Sequence, residues 1–139
     1  IVEVLLRPSW PGSAYRSDIM TIRRDGGEPR TGSRLGLIAT TLERLAMGLN
    51  PFWNGAGGRI RYTLLPFPPH RFGIAMVPIL CGRPLAWMAG KDYESGRVNE
   101  LAFTIDCPLV LDGEMYAAPA GEPAILRADR EVDFVTIDG

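Results

Sequence analysis

Two carboxylates separated by one glycine, Asp112 and Glu114 around Gly113, are the residues of this chain best suited to chemistry. They lie in Leu109-Val110-Leu111-Asp112-Gly113-Glu114-Met115-Tyr116, between two short apolar runs that read as strands. A tight turn carries no bulky side chain to shield it, so both carboxylates can project from a sheet edge. There they could hold a metal-bound phosphate or accept a proton from a substrate hydroxyl. The plain alternative is structural, because Asp-Gly is a favoured two-residue hairpin turn in which glycine tolerates positive φ. On spacing alone the turn is the simpler reading.

Several familiar sites are excluded by the sequence. No GxxxxGK[ST], GxGxxG or GxSxG pattern occurs. The glycine-rich run Gly55-Ala56-Gly57-Gly58 precedes a strand, whereas a phosphate loop follows a strand and opens a helix whose N–H groups hold the anion. It reads as a turn. His70, the single histidine, sits beside Pro68-Pro69 without an acidic neighbour and reads as a loop residue. With Cys81 and Cys107 as the two cysteines, no zinc-ligand spacing can be assembled. Both thiols are expected to be reduced and buried.

The elements that must position Asp112 and Glu114 are mostly short, apolar and bounded by Gly and Pro. That pattern predicts a mainly β domain, an antiparallel sandwich or barrel-like fold with one or two short helices. Candidate strands are Ile1–Leu6, Asp18–Arg24, Arg59–Leu65, Arg97–Asp106, Pro108–Leu111, Glu114–Ala117, Ala124–Arg127 and Glu131–Ile137. Ile60, Tyr62 and Leu64 share one face of their strand, as do Leu101, Phe103 and Ile105. Leu42, Leu45, Ala46 and Leu49 follow the i, i+3, i+4, i+7 spacing of a helix, with Thr40 and Glu43 as a capping box and Gly48 and Pro51 as its end. A second helix is expected over Pro69–Cys81, closed by Gly82, with Pro78 kinking it or ending it early.

A length of 139 residues fits one domain, spanning 1–139. The hydrophobic fraction of 46% and charged fraction of 22% are those of a globular chain. A net charge of -1 lacks the basic excess that nucleic acid would require, so no nucleic-acid partner is expected. Apolar runs are broken by Pro, Gly or Arg well short of the ~18 residues a spanning helix needs. Ile1–Leu6 lacks the basic leader of a signal peptide. A first residue of Ile1 and not Met suggests a soluble domain cut from a longer protein.

The run from Cys107 to Val135, CPLVLDGEMYAAPAGEPAILRADREVDFV, resembles the C-terminal end of the diacylglycerol kinase and sphingosine kinase-like lipid kinases. Two upstream stretches are similar to bacterial members: Ala39-Thr40-Thr41-Leu42-Glu43-Arg44-Leu45 with Leu49-Asn50-Pro51-Phe52-Trp53, and Tyr93-Glu94-Ser95-Gly96. The resemblance covers roughly Leu35 to Val135 and leaves Ile1–Arg34 without a match. It implies the β-rich C-terminal domain of a two-domain cytoplasmic enzyme that phosphorylates a lipid hydroxyl with ATP and Mg²⁺. By this resemblance Glu114 would be the general base on the lipid hydroxyl. Asp112 would orient that hydroxyl or meet the metal–nucleotide, and Gly113 beside it would permit the turn. An acyl-chain pocket would draw on Leu37, Leu42, Leu45, Phe52, Trp53, Phe72 and Met76, for which plain core packing is the alternative.

In that family the ATP-binding Gly-Gly-Asp-Gly-Thr-type motif belongs to an N-terminal domain, and no such motif occurs here. Asp25-Gly26-Gly27-Glu28 lacks its order and surroundings. The chain alone is therefore expected to hold neither a metal nor ATP. Its implied partners are the lipid substrate, the missing nucleotide domain and the membrane surface as a peripheral contact. Two rivals remain: a non-catalytic lipid- or metabolite-binding module of the same descent, and an unrelated sandwich that recognises sugars through Trp10, Trp53 and Trp87.

Overall fold

A computed structural model describes residues 4–5, 18–105, 108–111, 114–117 and 121–129. The fold is mainly β, antiparallel, with two short helices, as the sequence predicts. Its strands are β1 (Val4–Leu5), β2 (Asp18–Arg24), β3 (Arg30–Thr40), β4 (Ile60–Pro66), β5 (Glu94–Val98), β6 (Glu100–Thr104), β7 (Leu109–Leu111), β8 (Glu114–Tyr116) and β9 (Ala124–Arg127). The helices, α1 (Phe72–Leu80) and α2 (Ala86–Ala89), lie between β4 and β5 in the chain.

The longest strand organises the rest. One edge of β3 pairs with β2 through Arg30–Arg34 and with β1 at Ile38 and Ala39; the other pairs with β4 from Arg34 to Thr40. Three wings therefore leave it: β2–β6–β9, β1–β7–β8 and β4–β5. They fold over one core in which Met20, Ile22, Leu37, Tyr62, Leu64 and Phe103 are almost wholly buried. Alternation works here as read: Ile60, Tyr62 and Leu64 face this core, and so do Leu101 and Phe103. A second core holds Ala75, Ile79, Met88 and Tyr93, with Trp53, Leu65 and Trp87 packed against it.

Four expectations need correction. The helix from Thr40 does not form. Thr40 is the last residue of β3, 1% exposed, with its backbone paired to Arg61 of β4. Strand pairing from Leu37 to Thr40 outweighs a local helical spacing that has no face to bury against. Thr40 Oγ1 accepts the Leu42 N–H at 3.1 Å in a local turn, while Glu43 turns to Arg61, with 2.5 Å between Oε2 and the guanidinium. Only a single 3₁₀ turn, Ala46–Gly48, follows.

The strand read over Arg97–Asp106 is two strands that part at Asn99. Asp25 Oδ1 accepts the backbone N–H groups of both Asn99 (2.8 Å) and Glu100 (2.9 Å), which fixes the corner. There the chain leaves β4 as partner and joins β2 and β9. Helix α1 passes through Pro78 to Leu80. Proline removes one N–H donor, and the carbonyl it would have met belongs to Ile74, whose side of the helix is open to water. Cys81 is exposed and not buried; it follows α1 as its C-cap residue, outside both cores. Cys107 and the strand expected over Glu131–Ile137 lie outside the described residues.

Candidate functional site

The β7–β8 pair places Leu111 opposite Glu114, so the two strands are joined by Asp112-Gly113, the two residues between them. Asp112 and Gly113 lie outside the described residues. Glu114 is exposed, and the Tyr116 hydroxyl donates to its Oε2 at 2.9 Å. Residues two apart on a strand share a face, so Tyr116 steadies this carboxylate without removing its second oxygen from solvent. Glu114 is therefore an available acceptor at a sheet end, not a member of the core.

The seven pocket candidates are distributed and not gathered. Leu37 is fully buried in the first core. Phe52 is buried, and Trp53 packs against the second core. Leu42 and Leu45 are half-buried between β3 and β4, as are Phe72 and Met76 on α1. One cavity of about 210 Å³ opens between the end of β3, the start of β4 and β9, where Thr40, Ile60 and Ile125 line it. A cleft of about 370 Å³ lies between Trp53–Asn54, α2 and Asp92–Glu94. Of the seven candidates, only Trp53 lines either one.

What the structure does join are two stretches distant in sequence, Asn50–Asn54 and Tyr93–Gly96. Ser95 is the node. Its hydroxyl donates to the Tyr62 carbonyl (2.9 Å) and accepts the Trp53 N–H (3.1 Å); Thr63 Oγ1 lies 3.0 Å away and donates to the Pro51 carbonyl at 2.5 Å. Asn54 Nδ2 donates to the Ser95 carbonyl. These bonds hold the incoming loop on the face of β4–β5 opposite the first core. Trp87 completes the neighbourhood with its ring edge-on to Tyr93 and to His70, the centroids 6.0 and 5.7 Å away. Burial raises the Tyr93 pKa, and its hydroxyl donates to the His70 carbonyl at 2.8 Å.

One charged cluster gave no signal in the sequence. Arg24 of β2 meets Glu94 of β5 at 2.5 Å and lies over the Tyr62 ring, 5.3 Å from its centroid. The Tyr62 hydroxyl donates to Glu94 Oε1 at 2.9 Å. These three residues come from three strands, and no local pattern could have associated them.

The hairpin and the cleft are separate places. Glu114 stands opposite Leu111, Leu111 opposite Val4, Val4 opposite Ala39, Ala39 opposite Tyr62, and Tyr62 opposite Gly96. Five strand spacings are roughly 24 Å measured along the sheet. Among the described residues no three of His, Cys, Asp and Glu cluster as metal ligands, and no helix is long and apolar enough to cross a membrane. Comparison with protein-family models, with curated proteins and with solved structures returned no match.

Proposed function

We propose that this chain is the lipid-substrate domain of an ATP-dependent lipid kinase-like protein, contributing the Asp112–Glu114 turn to phosphoryl transfer onto a lipid hydroxyl. The observation that carries the reading is Glu114, an exposed carboxylate on a hairpin strand with an oxygen free to accept a proton. A Mg²⁺ ion bound mainly through phosphate oxygens and water needs only one or two carboxylates from protein. A hairpin of this kind therefore suits a metal–nucleotide presented by a second domain. Glu114 takes the proton of the lipid hydroxyl as that oxygen attacks the terminal phosphorus, and the nucleoside diphosphate leaves from the opposite side.

The test uses the longer protein that this reading requires. Glu114→Gln keeps the size of the side chain and its bond to Tyr116 but cannot accept the proton. Turnover should fall roughly 10²–10⁴-fold while the Michaelis constant for lipid changes little, since the lost interaction is made mainly in the transition state. Wild-type turnover in a folded Glu114→Gln enzyme removes the assignment. The chain by itself should show no micromolar affinity for Mg-ATP in titration calorimetry, because its sequence carries no phosphate loop in a strand–loop–helix setting.

A further inference from the structure

The cleft between Trp53–Asn54, α2 and Asp92–Glu94 takes no part in the chemistry of the hairpin, and its volume of about 370 Å³ is that of a compact ligand site. Trp53, half-buried, lines it while also packing against the second core. Met88 and Tyr93 are its buried lining, and Ala89 of α2 is exposed along it.

Two of the lining residues hold an uncommon backbone. Asn54 and Asp92 both have φ +62°, in the left-handed region, which Asn and Asp tolerate better than most side chains. Each is fixed by a hydrogen bond with a residue distant in sequence. Asn54 Nδ2 donates to the Ser95 carbonyl at 3.1 Å, and Arg34 Nη1 donates to the Asp92 carbonyl at 3.3 Å. Among the described residues neither Asn54 Oδ1 nor the Asp92 carboxylate has a partner, and the Trp53 indole N–H meets no acceptor. The cleft thus offers two acceptors and one donor beside a flat apolar wall.

Charge and polarity decide what fits there. No Lys, Arg or His lines the cleft, so a phosphate or carboxylate ligand would find no counter-charge. An ammonium ligand fares little better. The Glu94 carboxylate is already held by Arg24 and the Tyr62 hydroxyl, and Asp92 is exposed with the Arg34 guanidinium on its own carbonyl. Recognition of organic cations also gathers several aromatic faces. Tyr93 is 4% exposed and edge-on to Trp87, which leaves Trp53 as the aromatic wall. A hydrocarbon chain would strip water from Asn54 and Asp92 and return no hydrogen bond. A neutral sugar ring meets each requirement. One face of it is C–H and stacks on an indole, and its hydroxyls both donate and accept.

We propose that this cleft binds a neutral hexopyranose, with the C–H face of the ring on Trp53 and its hydroxyls on Asp92 and Asn54. The inference does not depend on Glu114 or on phosphoryl transfer. Saturation-transfer-difference NMR of the chain with the methyl glycosides of glucose, galactose and mannose tests it, with choline and hexanol as rival ligands. At least one glycoside should receive saturation at its ring protons, with a dissociation constant of about 10⁻³ M, what one stacked ring and a few hydrogen bonds supply. Asp92→Asn keeps the shape of the side chain and tolerates the same backbone, but it removes the charged acceptor. It should weaken binding about tenfold or more. Ala89→Phe fills the cleft and should abolish binding. Both variants should keep the melting temperature of the parent chain, because both side chains are exposed and outside the cores. Absence of transfer to all three glycosides overturns the proposal, as does glycoside binding that persists undiminished in either variant. So does binding of choline or hexanol in place of the glycosides that is lost in Ala89→Phe, which would give the cleft to a cation or to a hydrocarbon chain.

Discussion

Tyr62 shows how much a single position depends on residues far from it in sequence. Burial pushes its pKa up from the usual phenol value near 10 to about 12; the Arg24 cation opposes that rise and the Glu94 carboxylate adds to it. The folded state thus binds the phenolic proton more tightly than the unfolded chain. This contribution to stability is fully present below about pH 10 and is lost as pH rises through about 12. Alkaline titration by ultraviolet difference absorbance should show Tyr62 and Tyr93, both raised by burial, ionising after an exposed phenol, and Tyr62→Phe should remove the step near 12 and flatten the fall of stability with pH. An unchanged titration in the variant would mean that Tyr62 ionises like a free phenol. Alternation along Arg59–Leu65 places Tyr62 on an inward face, but its partners lie on β2 and β5, which only the folded sheet brings near.

Elements whose local pattern and tertiary partner agree were the legible ones. β2 and β9 match the predicted bounds, and β4 and the β7–β8 hairpin match within a residue or two at their ends. The misread region is where local pattern and partner conflict. β3 begins Arg30-Thr31-Gly32-Ser33-Arg34, polar and largely exposed, so alternation cannot announce it. Its end, Leu37–Thr40, runs into residues with helical spacing, and long-range pairing to β4 decides the outcome. The Glu114 hairpin was visible because a turn is local, whereas the Ser95 node and the cleft join residues some forty positions apart. Gly82, read as a helix stop, carries a further constraint. At φ +63° it leaves α1, and a Cβ there would stand 2.6 Å from the Asn50 carbonyl oxygen and 2.7 Å from that of Phe52. Gly26 has a similar φ of +70° with nothing within 4 Å. Gly26→Ala should therefore cost only the left-handed backbone term, about 1–2 kcal/mol. Gly82→Ala should cost more, because two backbone oxygens must also move. Equal shifts in urea midpoint for the two variants would show that the loop at Asn50–Phe52 yields freely.

Across the whole molecule, the first core is shared by wings whose strand pairing runs through β3, and Arg24 is a charged tie between two of them. It belongs to β2–β6–β9, while Glu94 and Tyr62 belong to β4–β5. The side chains of Arg24 and Glu94 are 20% and 33% exposed, so the pair is neither fully screened by water nor free of desolvation cost. Arg24 Nε is buried without a hydrogen-bond partner, which lessens what the pair returns. Removing one member strands the other. Arg24→Met leaves Glu94 with the Tyr62 hydroxyl, whereas Glu94→Leu leaves a mostly buried guanidinium with Tyr62 and no counter-charge. Glu94→Leu should accordingly be the more damaging single change, by about 1.5–3 kcal/mol, the usual worth of a hydrogen bond to a charged group. The double variant should be no less stable than Glu94→Leu alone, because the stranded cation is gone and a methionine can fill the space against Tyr62. Urea unfolding of the four proteins in a double-mutant cycle measures this directly. A coupling of about 1 kcal/mol or more identifies Arg24–Glu94 as a tie between the wings, and strict additivity would leave the apolar core and the Asn99 corner to join them.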